Sequence, residues 1–412
     1  MTKPCGDSDD RPRALFVTPE SPYPLAGGGA LRAASVLEYL AARYEVDVIS
    51  FREPPVSDPR TFFPGGLARH IEVLELPFHS RGTVARAVRN LGRILRSVPP
   101  LNDRFRCFRA QFERFLHGRC YDVAILEHFW CASYRDQILP HARLLVLDLH
   151  NVESNLYARA ATIERGPRAA LLRRISRDCL EWEKRWLPGF HVLLVASAQD
   201  AAKVSAVGTG GTICVVPNTI PLVPRPAVPE DDVIAFSGNF EYHPNLAAVR
   251  FFVREVWPRL RERRPALVWR LIGRNPQAAR SLVRGDNSIE LAGPPDDAIL
   301  ALAAAKAVVV PVRSGSGTRV KILEAWAAGR AIVSTSLGAE GLDARNNEHL
   351  LLADSPDAFA SAICRVLDSA ELRAQLGGAG RRLYEECYTW AHAEHALDQA
   401  GLSPRAAHRK VE

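Results

Sequence analysis

The sequence lacks several things that would have fixed its class at once. Its eight cysteines include no C-x-x-C pair and no short-chain framework, so they read as reduced thiols, with neither a disulfide scaffold nor a structural zinc ligand set. No run approaches the roughly 20 uninterrupted apolar residues that span a bilayer. The opening MTKPCGDSDDRP has no apolar core of the kind that directs export, so a cytoplasmic location is expected. There is no G-x-G-x-x-G, which disfavours a dinucleotide cofactor. The only D-x-D, Asp7-Ser8-Asp9, falls in that polar start, away from any strand end that could hold a metal in a cleft. No metal is therefore expected. Lysine is scarce too, at six of 53 basic residues.

What is present is ordinary globular material in an uneven electrostatic frame. With 412 residues and 47% hydrophobic content, at least two cores are expected. The net charge is +7, yet residues 79–119 hold ten arginines against two acids, a local +8 that leaves about −1 for everything else. From Val84 the apolar residues Val84, Val88, Leu91, Leu95 and Val98 are spaced four, three, four and three, with Arg86, Arg89, Arg93 and Arg96 between them. That is a helix with an apolar stripe edged by cations. One reading is a peripheral membrane surface or a dock for a lipid-phosphate-linked acceptor; the other is a core-facing stripe with a solvated basic rim. No recognition motif accompanies the charge, so nucleic acid is disfavoured.

Short continuous apolar runs alternate with helical patterns from end to end. The strands expected in the first half are 14–18, 46–51, 71–76, 123–126, 144–149, 192–196 and 213–216. Runs of this kind suit a parallel sheet covered on both faces. Five prolines within residues 217–232 predict a linker. The pattern then restarts at 233–237, 268–272, 289–292, 308–312, 332–335 and 350–352. The expected division is a flexible start (1–12), a first α/β domain (13–216), the linker (217–232), a second α/β domain (233–400) ending in one long helical stretch from Glu371 to Ala400, and a flexible tail (401–412). Two Rossmann-like doubly wound α/β domains facing each other across a cleft would both offer their loops to it, and the linker would act as a hinge.

Two glycine-rich segments carry the chemistry. Gly27, Gly28 and Gly29 precede an amphipathic helix, where bare backbone N–H groups can approach an anion, although a plain connecting loop has the same composition. Residues 308–343 bring a buried strand to Ser314-Gly315-Ser316-Gly317-Thr318 and then to a helix bearing Arg319, Lys321 and Glu324. A lysine in a first helical turn opposes the macrodipole, a penalty that a bound diphosphate would reverse. An exposed i,i+3 ion pair is the alternative. His150 closes an apolar strand, with Asp148 or Glu153 available to orient it; Glu127 and His128 close the strand before, reaching the same rim beside Asn151.

These segments resemble the retaining glycosyltransferases of family four, the group 1 glycosyl transferases with the GT-B fold. The resemblance rests on Gly27–Gly29, DLHNVES at 148–154, VVPN at 215–218, FSGNFEYHPN at 236–245, SGTRVKILEAWAAG at 316–329 and GAEGL at 338–342. It implies metal-independent transfer of a sugar from a nucleotide-diphosphate sugar, acting as co-substrate, to an acceptor hydroxyl in bacterial glycan or glycolipid synthesis. Glu324 matches the second glutamate of the family's E-x7-E motif, which holds the ribose; Ser316 stands where the first would be, leaving Glu340 or a backbone amide to grip the donor sugar. The family's arginine and lysine after the first strand of the second domain are absent around Gly238 and Asn239. Arg319 and Lys321, with the amides of Gly317 and Thr318, are the expected substitutes. His150 matches a histidine that approaches the transferred sugar. A glycan or lipid-linked acceptor is implied as partner, taken by the first domain beside Glu127, His128 and Asn151 while the second takes the nucleotide sugar; on the membrane reading, residues 79–119 would meet the inner face of the cell membrane. A nucleotide-sugar epimerase of the same architecture would isomerise donor with no acceptor present, and a binding protein with a decayed site would bind no nucleoside diphosphate.

Overall fold

Continuous apolar runs become central strands because both faces of a parallel sheet are covered. The computed structural model describes residues 11–25, 27–54, 57–79, 82–283, 285–295, 297–315 and 319–404. Its chain forms two compact units, Met1–Pro217 together with Ala393–Glu412, and Asn218–His392.

In the first unit the strands are β1 (Arg13–Thr18), β2 (Glu45–Arg52), β3 (His70–Glu75), β4 (Tyr121–Glu127), β5 (Ala142–Leu149), β6 (Val192–Val195) and β7 (Thr212–Val215). They form a parallel sheet in the order β3-β2-β1-β4-β5-β6-β7. The winding direction reverses between β1 and β4, so the loops leaving those two strands diverge and open a crevice at the carboxyl edge. Leu15, Val17, Ile49, Ala124, Leu126, Leu145 and Leu147 are among the buried side chains of its core.

The second unit repeats the plan with β8 (Asp231–Ser237), β9 (Val268–Ile272), β10 (Ile289–Ala292), β11 (Ala305–Val310), β12 (Ala331–Ser334) and β13 (Leu351–Leu352). Here the order is β10-β9-β8-β11-β12-β13, with the reversal between β8 and β11. A Cβ on Gly273 (φ 141) would lie 2.1 Å from the Gly238 carbonyl oxygen, so the loops after β8 and β9 approach more closely than a side chain permits.

Several boundaries differ from those expected. Strand β8 starts at Asp231, inside the expected linker. Residues 217–230 are irregular but tied down: Tyr384 Oη donates to the Pro221 carbonyl (2.6 Å) and Arg381 Nη2 to that of Val223 (2.6 Å). The expected single stretch 371–400 is two helices, Ala370–Cys387 and Trp390–Gln399, broken where Ile220 N–H takes the Tyr388 carbonyl (3.0 Å). The second unit therefore ends at His392, and the last helix packs on the first unit, where Tyr39 Oη donates to Asp398 (2.7 Å). Of the two expected flexible ends, residues 1–10 and 405–412 lie outside the described residues. Arg11 donates to the Ala41 carbonyl (2.7 Å), and Leu402 is buried and accepts a hydrogen bond from Tyr44 Oη (2.5 Å).

The arginine-edged stripe lies on the helix Thr83–Arg96 and does not face the core. Val84, Val88, Leu91 and Leu95 are 75%, 65%, 58% and 77% exposed, and nearby Phe78 is 79% exposed. The core-facing alternative is overturned, because other contacts hold the helix. Arg93 Nε bonds Asp103 (3.2 Å), Arg174 reaches Ser97 Oγ (2.8 Å), and Trp182 Nε1 donates to the Ser97 carbonyl (2.9 Å).

Candidate functional site

Each unit gathers polar residues at its topological switch point. In the first unit β4 and β5 are neighbours in register, which sets Glu127 opposite Asp148. Two adjacent carboxylates fully buried in a sheet need hydrogen-bond donors, and two side chains supply them. Arg32, on the helix Gly28–Arg43 that follows the glycine loop, is itself buried and forks onto Asp148 through Nε (2.8 Å) and Nη2 (2.5 Å); its Nη1 donates to the Val216 carbonyl (2.7 Å). His150 places Nε2 2.5 Å from Glu127 Oε2 and 3.7 Å from Asp148 Oδ2.

This differs from expectation in two ways. Glu127 is buried rather than at an acceptor rim, and it, more than Asp148, orients His150. Glu153 turns elsewhere and accepts from Trp130 Nε1 (3.0 Å). With Glu127 ionised, Nε2 carries the imidazole proton and Nδ1 presents its lone pair. That lone pair faces the glycine loop, since a Cβ on Gly29 would sit 3.9 Å from Nδ1. Gly28 begins the helix after Gly27, whose φ of 94 suits glycine. His128, at φ 63, lies between Trp130 (4.2 Å between centroids) and His150 (3.6 Å), and Asn151 follows β5 on the same edge.

Burial dominates the titration of this cluster. It pushes Glu127 up to about 7, with Asp148 adding to the rise and His150 and Arg32 opposing it. Burial, then the charges of His150 and Arg32, holds His128 well below the usual imidazole range. Glu153 is raised to about 7, again by burial first. Among the described residues, Glu127, Asp148 and His150 form a grouping close enough to share a cation, with ligand atoms within 4.8 Å. The fit is poor. Both Asp148 oxygens are already engaged by a guanidinium whose charge would repel a cation.

In the second unit Lys321 reaches across the β8/β11 switch point. From the first turn of the helix Val320–Ala327 its Nζ donates to Asn245 Oδ1 (2.8 Å) and lies 4.2 Å from the centroid of the Phe236 ring. Asn245 Nδ2 in turn donates to the Asn239 carbonyl (2.8 Å). A Cβ on Gly238 would meet Asn245 Nδ2 at 2.7 Å and Lys321 Nζ at 3.1 Å, so the ammonium stands against the bare backbone of the first loop. The exposed ion-pair alternative is overturned, since Lys321 is half-buried and bonds Asn245. Burial, then Arg319, lowers its pKa to about 7, with Glu324 opposing. Burial raises Glu324, while Lys321 and the Ser237 hydroxyl offset the rise.

Arg319 is buried and folds back on its own loop, donating from Nη2 to the Ser314 carbonyl (3.3 Å). Glu340 is half-buried in the turn after β12, the neighbour of β11, so it leaves the same sheet edge. Ser316, Gly317 and Thr318 lie outside the described residues. Asn245, Phe236 and Arg32 were not anticipated. Arg32 left a faint signal, a lone cation in the otherwise uncharged run from Gly27 to Leu37.

Known proteins share the two-sheet architecture. Residues 231–369 match the family model described as glycosyl transferases group 1. A 44.6 kDa protein from the cps region of Klebsiella pneumoniae is 21% identical over 365 residues, 85% of this chain and 90% of that protein. Among solved structures, sucrose-phosphate synthase from Thermosynechococcus elongatus superposes with a TM-score of 0.73 at 18% identity, over 95% of this chain and 98% of that one. The Anabaena HepE protein in complex with UDP and glucose does so at 0.64 and 13%, over 95% and 99%. At these identities the likeness establishes the GT-B fold.

Proposed function

We propose that this chain, whose residues 231–369 belong to the glycosyl transferases group 1 family, moves a sugar with retention from a nucleotide-diphosphate sugar to an acceptor hydroxyl, without a metal. The observation that carries this reading is Lys321, a half-buried ammonium at a switch-point loop, one helical turn from Glu324. When the anomeric C–O bond breaks, its electron pair passes to the diphosphate. Lys321, Arg319 and the amide of Asn239 offset that charge, in the role a divalent cation has elsewhere. Glu324 holds the ribose hydroxyls. The acceptor oxygen bonds the same face of the anomeric carbon, and its proton leaves to the departing phosphate. His150, fixed by Glu127, accepts a hydrogen bond at Nδ1 from a hydroxyl of the transferred sugar.

The relatives suggest the setting. HepE was solved with UDP and UDP-glucose, and the Klebsiella relative lies in a cps region, so a UDP-sugar and a bacterial surface polysaccharide are the proposed donor and product. Among the described residues no helix is long and apolar enough to cross a membrane. The exposed stripe of the helix Thr83–Arg96, edged by arginines, suits an anionic membrane surface, and we assign it that partner.

A thermal-shift panel of UDP, GDP, ADP and dTDP sugars tests the donor class, and Glu324→Ala tests the site. The variant should lose nucleotide affinity and turnover together; unchanged values for both would remove Glu324 from the site. Isomerised donor formed with no acceptor present would favour an epimerase instead.

A further inference from the structure

The first unit has a second cavity that shares no residue with the Glu127–His150 cluster. It has a volume of about 360 Å³ and is bordered by Ser133, Gln137, Trp182, Trp186, Arg106 and Arg109. Three of these side chains carry a buried polar atom without a hydrogen-bond partner: Ser133 Oγ, Gln137 Oε1 and Trp186 Nε1. Buried polar groups are normally satisfied, so three orphans around one cavity ask for an explanation. Trp182 and Trp186, with ring centroids 6.1 Å apart, supply apolar faces. At the rim stand two exposed guanidiniums, in the stretch whose local charge exceeds the net charge of the whole chain.

We propose that this cavity binds a sugar ring of an acidic oligosaccharide acceptor. Aromatic faces pack against the apolar C–H face of a pyranose, the orphaned hydroxyl, amide and indole groups take its hydroxyls, and Arg106 and Arg109 take a carboxylate. The volume is in the range of small-ligand sites. Ser133 and Gln137 belong to the segment that begins directly after His128, so the cavity is joined by a few residues of chain to the switch point of the same unit. The term acceptor rests on the glycosyltransferase reading; the cavity and its orphans do not.

The test is equilibrium titration of the full chain, followed by tryptophan fluorescence and calorimetry, without nucleotide sugar. Hyaluronan tetrasaccharide is the acidic probe and maltotetraose the neutral control. Saturable binding of the acidic probe is expected, weakened about tenfold or more by the double substitution Arg106→Ala with Arg109→Ala, given what hydrogen bonds to charged groups contribute. Gln137→Leu and Trp186→Phe, which keep the packing, should each weaken it as well. Absence of saturation, equal affinity for the neutral probe, or full affinity in the double variant overturns the proposal. UDP-glucose binding measured in parallel separates the two readings. Its loss with tetrasaccharide binding intact would refute the donor assignment, and the reverse would refute the cavity.

Discussion

If Lys321 neutralises a diphosphate, donor binding must be linked to protons, and the direction of that linkage follows from the structure. Burial, and then Arg319, lowers Lys321 from 10.5 to about 7 in the free protein, so near neutrality the amine is only partly charged. A diphosphate beside Nζ favours the ammonium and raises its pKa in the complex. Between about 7 and that higher value, binding takes up a proton, and affinity falls as pH rises, approaching about tenfold per pH unit. From pH 7 to 9 the loss is on the order of a hundredfold at most. UDP-glucose is a suitable probe because its diphosphate, esterified at both ends, does not itself titrate there. Calorimetry in two buffers of different ionisation enthalpy reads the proton uptake directly. Lys321→Arg keeps its charge throughout and should bind with a flat profile; Lys321→Met should bind weakly and also flatly. Arg319→Met removes the repelling neighbour, so the free Lys321 pKa rises and the fall in affinity begins at higher pH. A wild-type affinity constant from pH 7 to 9, or a Lys321→Met variant that keeps the slope, refutes the reasoning.

Other consequences are simpler to test. Glu127 and Glu153 are both raised from 4.5 to about 7, so the folded chain holds protons the unfolded chain releases between those values. The stability this confers is complete below about 4.5 and is lost as pH rises through about 7. Glu153→Gln, which can still accept from Trp130, should raise the Tm at pH 8 and flatten its dependence between pH 5.5 and 8, as differential scanning fluorimetry would show. Glu127→Gln should lower kcat above pH 7 by weakening the hold on His150, and should remove the acid limb of the wild-type profile below 7; a retained acid limb would assign that titration to another group. Arg32→Met leaves Asp148 buried without its guanidinium and should cost about 3–5 kcal/mol in denaturant unfolding. Leu91→Asp with Leu95→Asp should abolish sedimentation with phosphatidylserine vesicles while leaving UDP-glucose affinity intact.

The strands were legible because a parallel sheet buried on both faces leaves no period to misread, only continuous apolar runs such as Leu144–Leu149. Lys321 was legible for a different reason, its rarity and its place in a first helical turn. Its surroundings were not. Asn245 is 76 residues away, and only the strand order β8-β11 brings the two loops together. Glu127 shows the reverse failure. Polar residues at strand ends read as an open rim, yet the register that pairs Glu127 with Asp148 sinks both, and Arg32, on a separate element, makes their burial tolerable. Sequence spacing marks where a side chain leaves the backbone, and the partner that decides its ionisation comes from another strand or helix.

The arginine-rich stretch divides along the same line. Its periodicity defined the stripe, but either face of an amphipathic helix can be the buried one until something else anchors it. Here polar contacts do so: Asp103 takes Arg93 and Arg96, and Trp182 donates to Ser97. With the helix held from its polar side and C-terminal end, the apolar stripe is left outward. Trp182 also borders the cavity of Ser133 and Gln137, and Asp103 pairs with Arg106 on its rim (3.6 Å). A helix laid on an anionic surface and a cavity lined for an acidic sugar would thus share two anchoring residues. The vesicle and oligosaccharide experiments, though run separately, should both respond to Asp103→Asn: it frees Arg106 toward the cavity while loosening the helix, so tetrasaccharide affinity should rise as vesicle binding falls. Parallel changes in the two would mean that the variant has lost the fold of that face, which circular dichroism and the Tm would reveal.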